Sequence, residues 1–252
     1  MPESGARKSE AIRAIRRGVE LGMTHIDTAE MYGSGAVERV LGEALAGLSR
    51  EKLFLATKVL PSNASYAGTM RACERSLRAM RTDYVDLYML HWPSSVPLEE
   101  TMRAFSDLVR SGKTRFVGVS NFETEDMLEA QRLLGDVPLV CNQVLYHLRE
   151  RGIEHDLIPA ARKANIAIVA YTPFGRANLD LSKIAAKYGA TSRQVILAFL
   201  TREPHVFTIP KASSVAHVEE NAAAGDLVLD ASDIAAIEAA FPLGRRRPLA
   251  TL

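Results

Sequence analysis

The chain predicts an α/β protein built on a parallel sheet. Three observations carry that prediction. Short, almost wholly apolar strand-like runs alternate with amphipathic helical runs, and such alternation implies parallel strands joined by right-handed helical crossovers. The strand runs lack the polar alternation of a half-exposed sheet, as expected where both faces are covered. Titratable side chains recur at the carboxyl ends of successive strands, the end at which α/β folds do their chemistry.

The elements follow in order. Apolar residues at Ala11, Ile12, Ile15, Val19 and Leu21 are spaced for a helix over 9–22, with Ser9 as its N-cap and Gly22 just past its end. A strand over 23–28 comes next, then a Gly33–Gly35 turn and a helix near 36–46. Strand and helix then alternate: strand 53–59, helix 66–80, strand 85–92, helix 98–111, strand 114–120, helix 124–134, strand 139–144, helix 156–164 and strand 166–172. A helical region over 181–202 breaks near Gly189. The last strand, 206–210, precedes helices near 215–224 and 232–240. Residues 1–252 are expected to form one domain, since α/β barrels of roughly this size do so. Seven strands are counted after an opening helix. A closed barrel of eight needs one more before that helix, so the sheet is either open or lacks its first strand.

Composition narrows the function. Lys plus Arg is 31 and Asp plus Glu is 30, a formal charge of +1. So even a balance offers no attraction for nucleic acid or an anionic membrane. The Arg245–Arg247 run reads as a solvated tail. Cys73 and Cys141 are far apart, without metal-type spacing, and suit reduced thiols in a cytoplasmic protein. No apolar run approaches the ~20 residues that span a bilayer, and residues 1–10 hold no signal-peptide core.

Chemistry concentrates at strand ends. Asp27 closes the first strand, with Tyr32 just beyond it; Lys58 lies in the next strand, and His91 at the end of the third. A buried lysine is costly unless paired, and Asp27 is the partner on the adjacent strand. A phenol is a poor acid near neutrality, and a neighbouring ammonium is expected to lower its pKa. A neutral histidine can donate to a carbonyl oxygen. Together these groups can protonate an oxyanion while hydride arrives at carbon. No Gly-x-Gly-x-x-Gly follows a strand, so a Rossmann site is not supported.

The strings His25-Ile26-Asp27-Thr28-Ala29-Glu30-Met31-Tyr32-Gly33, Leu55-Ala56-Thr57-Lys58-Val59 and Tyr88-Met89-Leu90-His91-Trp92-Pro93 resemble the tetrad segments of the aldo-keto reductases. The likeness extends in order to Val119-Ser120-Asn121-Phe122, Asn142-Gln143, Ala170-Tyr171-Thr172-Pro173 and Ile209-Pro210-Lys211. It implies a (β/α)8 TIM barrel and NADP(H)-dependent reduction of aldehydes and ketones, closest in flavour to prokaryotic reductases of small dicarbonyls such as methylglyoxal. It assigns the proton donor to Tyr32, its support to Lys58 and Asp27, and carbonyl orientation to His91. It places Ser120, Asn121 and Gln143 on the nicotinamide carboxamide and Tyr171 against the nicotinamide ring. Lys211 and Ser213 would meet the adenosine-side phosphate, Glu220 and Asn221 the adenine, and Trp92 would wall the substrate pocket.

Two departures from the family pattern matter. His217 stands where much of the family has an arginine facing the 2′-phosphate. A neutral imidazole replaces a charged fork there, so NAD(H) is expected to serve as well. The family's first strand is not found before Ser9. A second reading is therefore a cofactor-binding relative with little or no turnover. The resemblance leaves the physiological substrate and the oligomeric state open.

Overall fold

The structure is a computed structural model and describes residues 5–176 and 179–251. Among them, helices and strands alternate as α1 (Gly5–Glu20), β1 (His25–Asp27), α2 (Ala36–Ala44), β2 (Phe54–Val59), α3 (Tyr66–Met80), β3 (Val85–Leu90), α4 (Leu98–Arg110), β4 (Thr114–Ser120), α5 (Thr124–Leu134) and β5 (Leu139–Leu145). The chain continues through α6 (Leu157–Lys163), β6 (Ala167–Tyr171), α7 (Ser182–Lys187), α8 (Ser192–Leu200), β7 (Val206–Thr208), α9 (Val215–Ala222) and α10 (Ala231–Ala240). All seven strands are parallel and neighbour one another in chain order.

The sheet curls, and its two faces bury different things. One face packs on the helices through a large apolar layer that includes Leu55, Tyr88, Phe105, Val117, Val144 and Ile168. The other encloses a smaller, separate cluster of Ala56, Leu87, Met89, Cys141 and Val169. Strand alternation explains the division, because neighbours along a strand point to opposite faces. Among the described residues no pairing joins β1 to β7. The helical layer does meet across that seam. Gly18 of α1 approaches Val218 of α9 so closely that a Cβ there would sit 3.4 Å from its methyl, and Arg17 pairs with Glu219 at 2.9 Å.

The register staggers the site. Asp27 pairs with Ala56, two residues before Lys58, and Lys58 pairs with Met89, two residues before His91. Each strand thus carries its functional residue one pleat further toward the same end. Ser120 lies beside Gln143, and Leu145 beside Tyr171.

Two sequence expectations need correction. Ser9 is not the N-cap of α1: the helix begins at Gly5, and the Ser9 hydroxyl donates back to the Gly5 carbonyl. The first and last strands are three residues each, shorter than their apolar runs, because pairing needs a neighbour along the whole run. The Arg245–Arg247 run is exposed as expected, with Arg246 pairing with Asp156 at the surface.

Candidate active site

The loop after β1 is pinned before it delivers Tyr32. The Glu30 carboxylate accepts from the Leu60 backbone N–H at 2.6 Å and from Asn63 Nδ2 at 2.9 Å, and pairs with Arg75 at 3.2 Å. Gly33, Ser34 and Gly35 all have positive φ (60, 51 and 82°), a path glycine takes without steric cost. It turns the chain into α2, whose first-turn Glu38 is buried and accepts from Thr57 Oγ1 at 2.7 Å. Thr57 faces outward to hold that turn, so its neighbour Lys58 faces inward.

Lys58 is fully buried. Its ammonium donates to Asp27 Oδ1 at 2.5 Å and to the Thr28 carbonyl at 2.8 Å. It lies 5.5 Å from the centre of the Tyr32 ring. The Tyr32 ring stands edge-on to His91, with centroids 5.9 Å apart. The sequence therefore names four groups that the fold brings to one end of the sheet.

The electrostatics differ from expectation in one respect. Burial, with the Asp27 carboxylate, pushes the Tyr32 phenol up to about 12, outweighing any lowering by the Lys58 ammonium. The ammonium already serves Asp27 and Thr28, and the carboxylate offsets its charge. Burial and the Lys58 charge push His91 down to about 4. Tyr32 thus keeps its proton and His91 stays neutral across the physiological range. Trp92 lies against His91, with centroids 4.8 Å apart, and is 37% exposed. With Met31, 42% exposed, it adds apolar surface to the residues flanking Tyr32 and His91.

The residues expected at the nicotinamide form a connected set. Ser120 Oγ donates to the Gln143 carbonyl at 2.8 Å. Asn121 has a positive φ of 61°; its Nδ2 donates to the His91 carbonyl at 3.1 Å, and its Oδ1 accepts from the Tyr171 hydroxyl at 2.8 Å. That one side chain ties together the ends of β3, β4 and β6. Gln143 does something the sequence did not suggest: its Nε2 donates to Asp27 Oδ2 at 2.8 Å.

At the adenosine end, Lys211 Nζ donates to Ser213 Oγ at 2.7 Å, both exposed. His217 is exposed in the first turn of α9, and its backbone N–H goes to Ser214, the N-cap. The Glu220 carboxylate is engaged, accepting from Thr191 Oγ1 at 2.7 Å and pairing with Arg193 at 3.3 Å. Arg193 also lies 3.5 Å over the Phe174 ring. Motif reading missed both Ser214 and Arg193. Ser214 could have been found as a hydroxyl residue just before an apolar run.

Asn221 is 5% exposed, and neither its amide oxygen nor its amide nitrogen has a hydrogen-bond partner among the described residues. A buried amide of this kind is expensive unless something meets it. An adenine, which offers donor and acceptor edges, fits that requirement. The unmet Asn221 amide and the exposed Lys211 ammonium are therefore compatible with a dinucleotide. Among the described residues no cluster of His, Cys, Asp and Glu could hold a metal ion, and no helix is long and apolar enough to cross a membrane.

The chain is similar to known proteins in sequence and in fold. The family model described as "Aldo/keto reductase family" matches residues 3–241. Methylglyoxal reductase YeaE of Escherichia coli K12 is 43% identical over 96% of this chain and 88% of its own length. Glyoxal reductase of Bacillus subtilis 168 is 32% identical over 92% of this chain and 83% of its own. A crystal structure of an aldo-keto reductase from Klebsiella pneumoniae in complex with NADPH superposes with a TM-score of 0.94. It is 42% identical, covering 100% of this chain and 92% of that one.

Proposed function

This chain belongs to the aldo/keto reductase family, and from that premise we propose that it reduces small aldehydes and dicarbonyl compounds of the methylglyoxal kind, with NADPH as the reductant. The observation that carries the reading is the buried Lys58–Asp27 pair set against Tyr32 and His91 at one end of the sheet.

NADPH, when bound, supplies the hydride. The chain supplies everything else. His91, held neutral, donates to the carbonyl oxygen and orients it. Tyr32 delivers a proton to that oxygen. An ammonium has three N–H groups; Asp27 takes one from Lys58 and Thr28 another. The third remains to favour the phenolate left when Tyr32 gives up its proton. Asn221, Lys211 and Ser213 would hold the adenosine end, Ser120, Asn121 and Gln143 the carboxamide, and Tyr171 the ring face. Glu220 contributes by anchoring α9 to α8, and Asn221, next to it, meets the base. Trp92 and Met31 give the carbonyl compound an apolar wall.

His217 leaves Lys211 as the main charge near a 2′-phosphate, so NADH also supports turnover, less well. The two free, buried cysteines suit a reducing cytoplasmic setting, and residues 1–252 act as one barrel domain. Steady-state reduction of methylglyoxal with NADPH and then NADH tests the reading. Turnover with both, faster at low NADPH than at low NADH, is expected. Tight NADPH binding with no reduction of any aldehyde would favour a cofactor-binding protein without turnover.

A further inference from the structure

The side chain of Gln143 is used in a way that a cofactor contact alone does not explain. Gln143 is 2% exposed. It belongs to β5, which does not pair with β1, so its hydrogen bond to Asp27 crosses the enclosed space of the sheet. Its backbone is fixed by two further bonds: its carbonyl accepts from the Asn121 N–H at 2.9 Å and from Ser120 Oγ at 2.8 Å. The Asp27 carboxylate is 9% exposed, with one oxygen on Lys58 and the other on Gln143. Remove Gln143, and a desolvated carboxylate oxygen loses its donor.

We propose that Gln143 is the positioning residue for Asp27, and that through Asp27 it links the carboxamide end of the cofactor site to the Lys58–Tyr32 proton donor. The proposal rests on the carbonyl-reductase reading and deepens it. A primary amide has two N–H groups and a carbonyl. One N–H goes to Asp27; the other N–H and the carbonyl remain for a carboxamide. A single buried side chain can therefore touch both, so a bound carboxamide fixes Gln143 and Gln143 fixes Asp27. With one oxygen held by Gln143 and the other by Lys58, Asp27 has a fixed orientation and keeps Lys58 in place. The other charged or titratable groups around Asp27 are Lys58 on β2, Tyr32 on the loop, His91 beyond β3, His25 one pleat below on β1 and Cys141 one pleat below on β5. Among the described residues none of these gives the second Asp27 oxygen a hydrogen bond.

The test uses Gln143→Met, which keeps the length and removes the amide, with Asp27→Asn and the double variant. Three quantities are read: the Asp27 carboxyl carbon resonance at one fixed neutral pH in the protein without cofactor by NMR, the NADPH dissociation constant, and the single-turnover rate of methylglyoxal reduction at saturating NADPH. In Gln143→Met the Asp27 resonance should move and the saturating rate should fall about ten-fold, the value of a hydrogen bond to a charged group. Gln143→Met should add nothing to the rate loss in the Asp27→Asn background. Gln143→Glu, which sets an acceptor where the donor stood, should lose at least as much rate. An unmoved Asp27 resonance, or a defect confined to the NADPH dissociation constant, would overturn the proposal. If wild type reduces no carbonyl while the Asp27 resonance still moves, the reductase reading fails and the Gln143–Asp27 link stands.

Discussion

His91 shows how one buried side chain couples site chemistry to stability. Its folded pKa lies near 4 against an ordinary 6.5, because burial and the Lys58 charge oppose protonation. As pH falls, the unfolded chain takes up this proton before the folded one does. Stability is therefore complete above the ordinary value, declines between about 6.5 and 4, and levels off below. His25 and His147 are also lowered by burial and act in the same direction. The His91 share is on the order of 3 kcal/mol. In urea unfolding, His91→Gln should lose less stability between about pH 7 and 4.5 than wild type does; equal losses would show that His91 protonates freely in the fold. At this scale the sequence was informative about identity and less so about state. Asp27, Tyr32, Lys58 and His91 could be named because their types recur at strand ends. That Tyr32 sits near 12 could not, because it depends on burial and on how Lys58 divides its N–H groups among neighbours. The Gln143–Asp27 bond was illegible for a similar reason: it spans 116 residues of chain.

Helices α2 and α3 show what packing asks of an element. Gly42 lies on the face of α2 that meets the end of α3, and a Cβ there would stand 2.8 Å from the Ala79 carbonyl oxygen and 2.9 Å from the Met80 carbonyl carbon. Both are backbone atoms and cannot swing aside. Gly42→Ala should therefore destabilise by about 1–3 kcal/mol despite alanine's better helix propensity, as a lower urea midpoint; an unchanged midpoint would mean the two helices have room to separate. Element ends were legible where a local signal marks them. The bounds expected for α3 and α5 match the structure, and the Ser65 side chain caps the first turn of α3. The start of α1 was not, because Ser9 has the chemistry of a cap and lies inside the helix instead. No local rule chooses between those two uses of one hydroxyl.

Across the whole molecule, order along the chain becomes order around the sheet. Parallel strands in sequence order are what alternation with helical crossovers implies, and this much was readable from the pattern alone. The depth of pairing was not. The interior strand β3 is buried along its whole length, whereas β1 and β7 are three residues each and partly exposed. Edge strands open locally at less cost than central ones. Amide hydrogen exchange should therefore be slowest in β3 to β5 and fastest, among the strands, in β1 and β7; uniform protection would show that the seam is closed by contacts the pairing pattern does not contain. The seam adjoins Asp27, so local opening there bears on activity as well as stability. All of these scales meet in one reaction, and the proton from Tyr32 is its central claim. The direct measurement is the single-turnover rate of methylglyoxal reduction by Tyr32→Phe at saturating NADPH, with the NADPH dissociation constant measured on the same protein. A loss of roughly 10²–10⁴-fold in rate, with nearly unchanged binding, is the predicted result for removing a positioned general acid. A near wild-type rate would contradict the account.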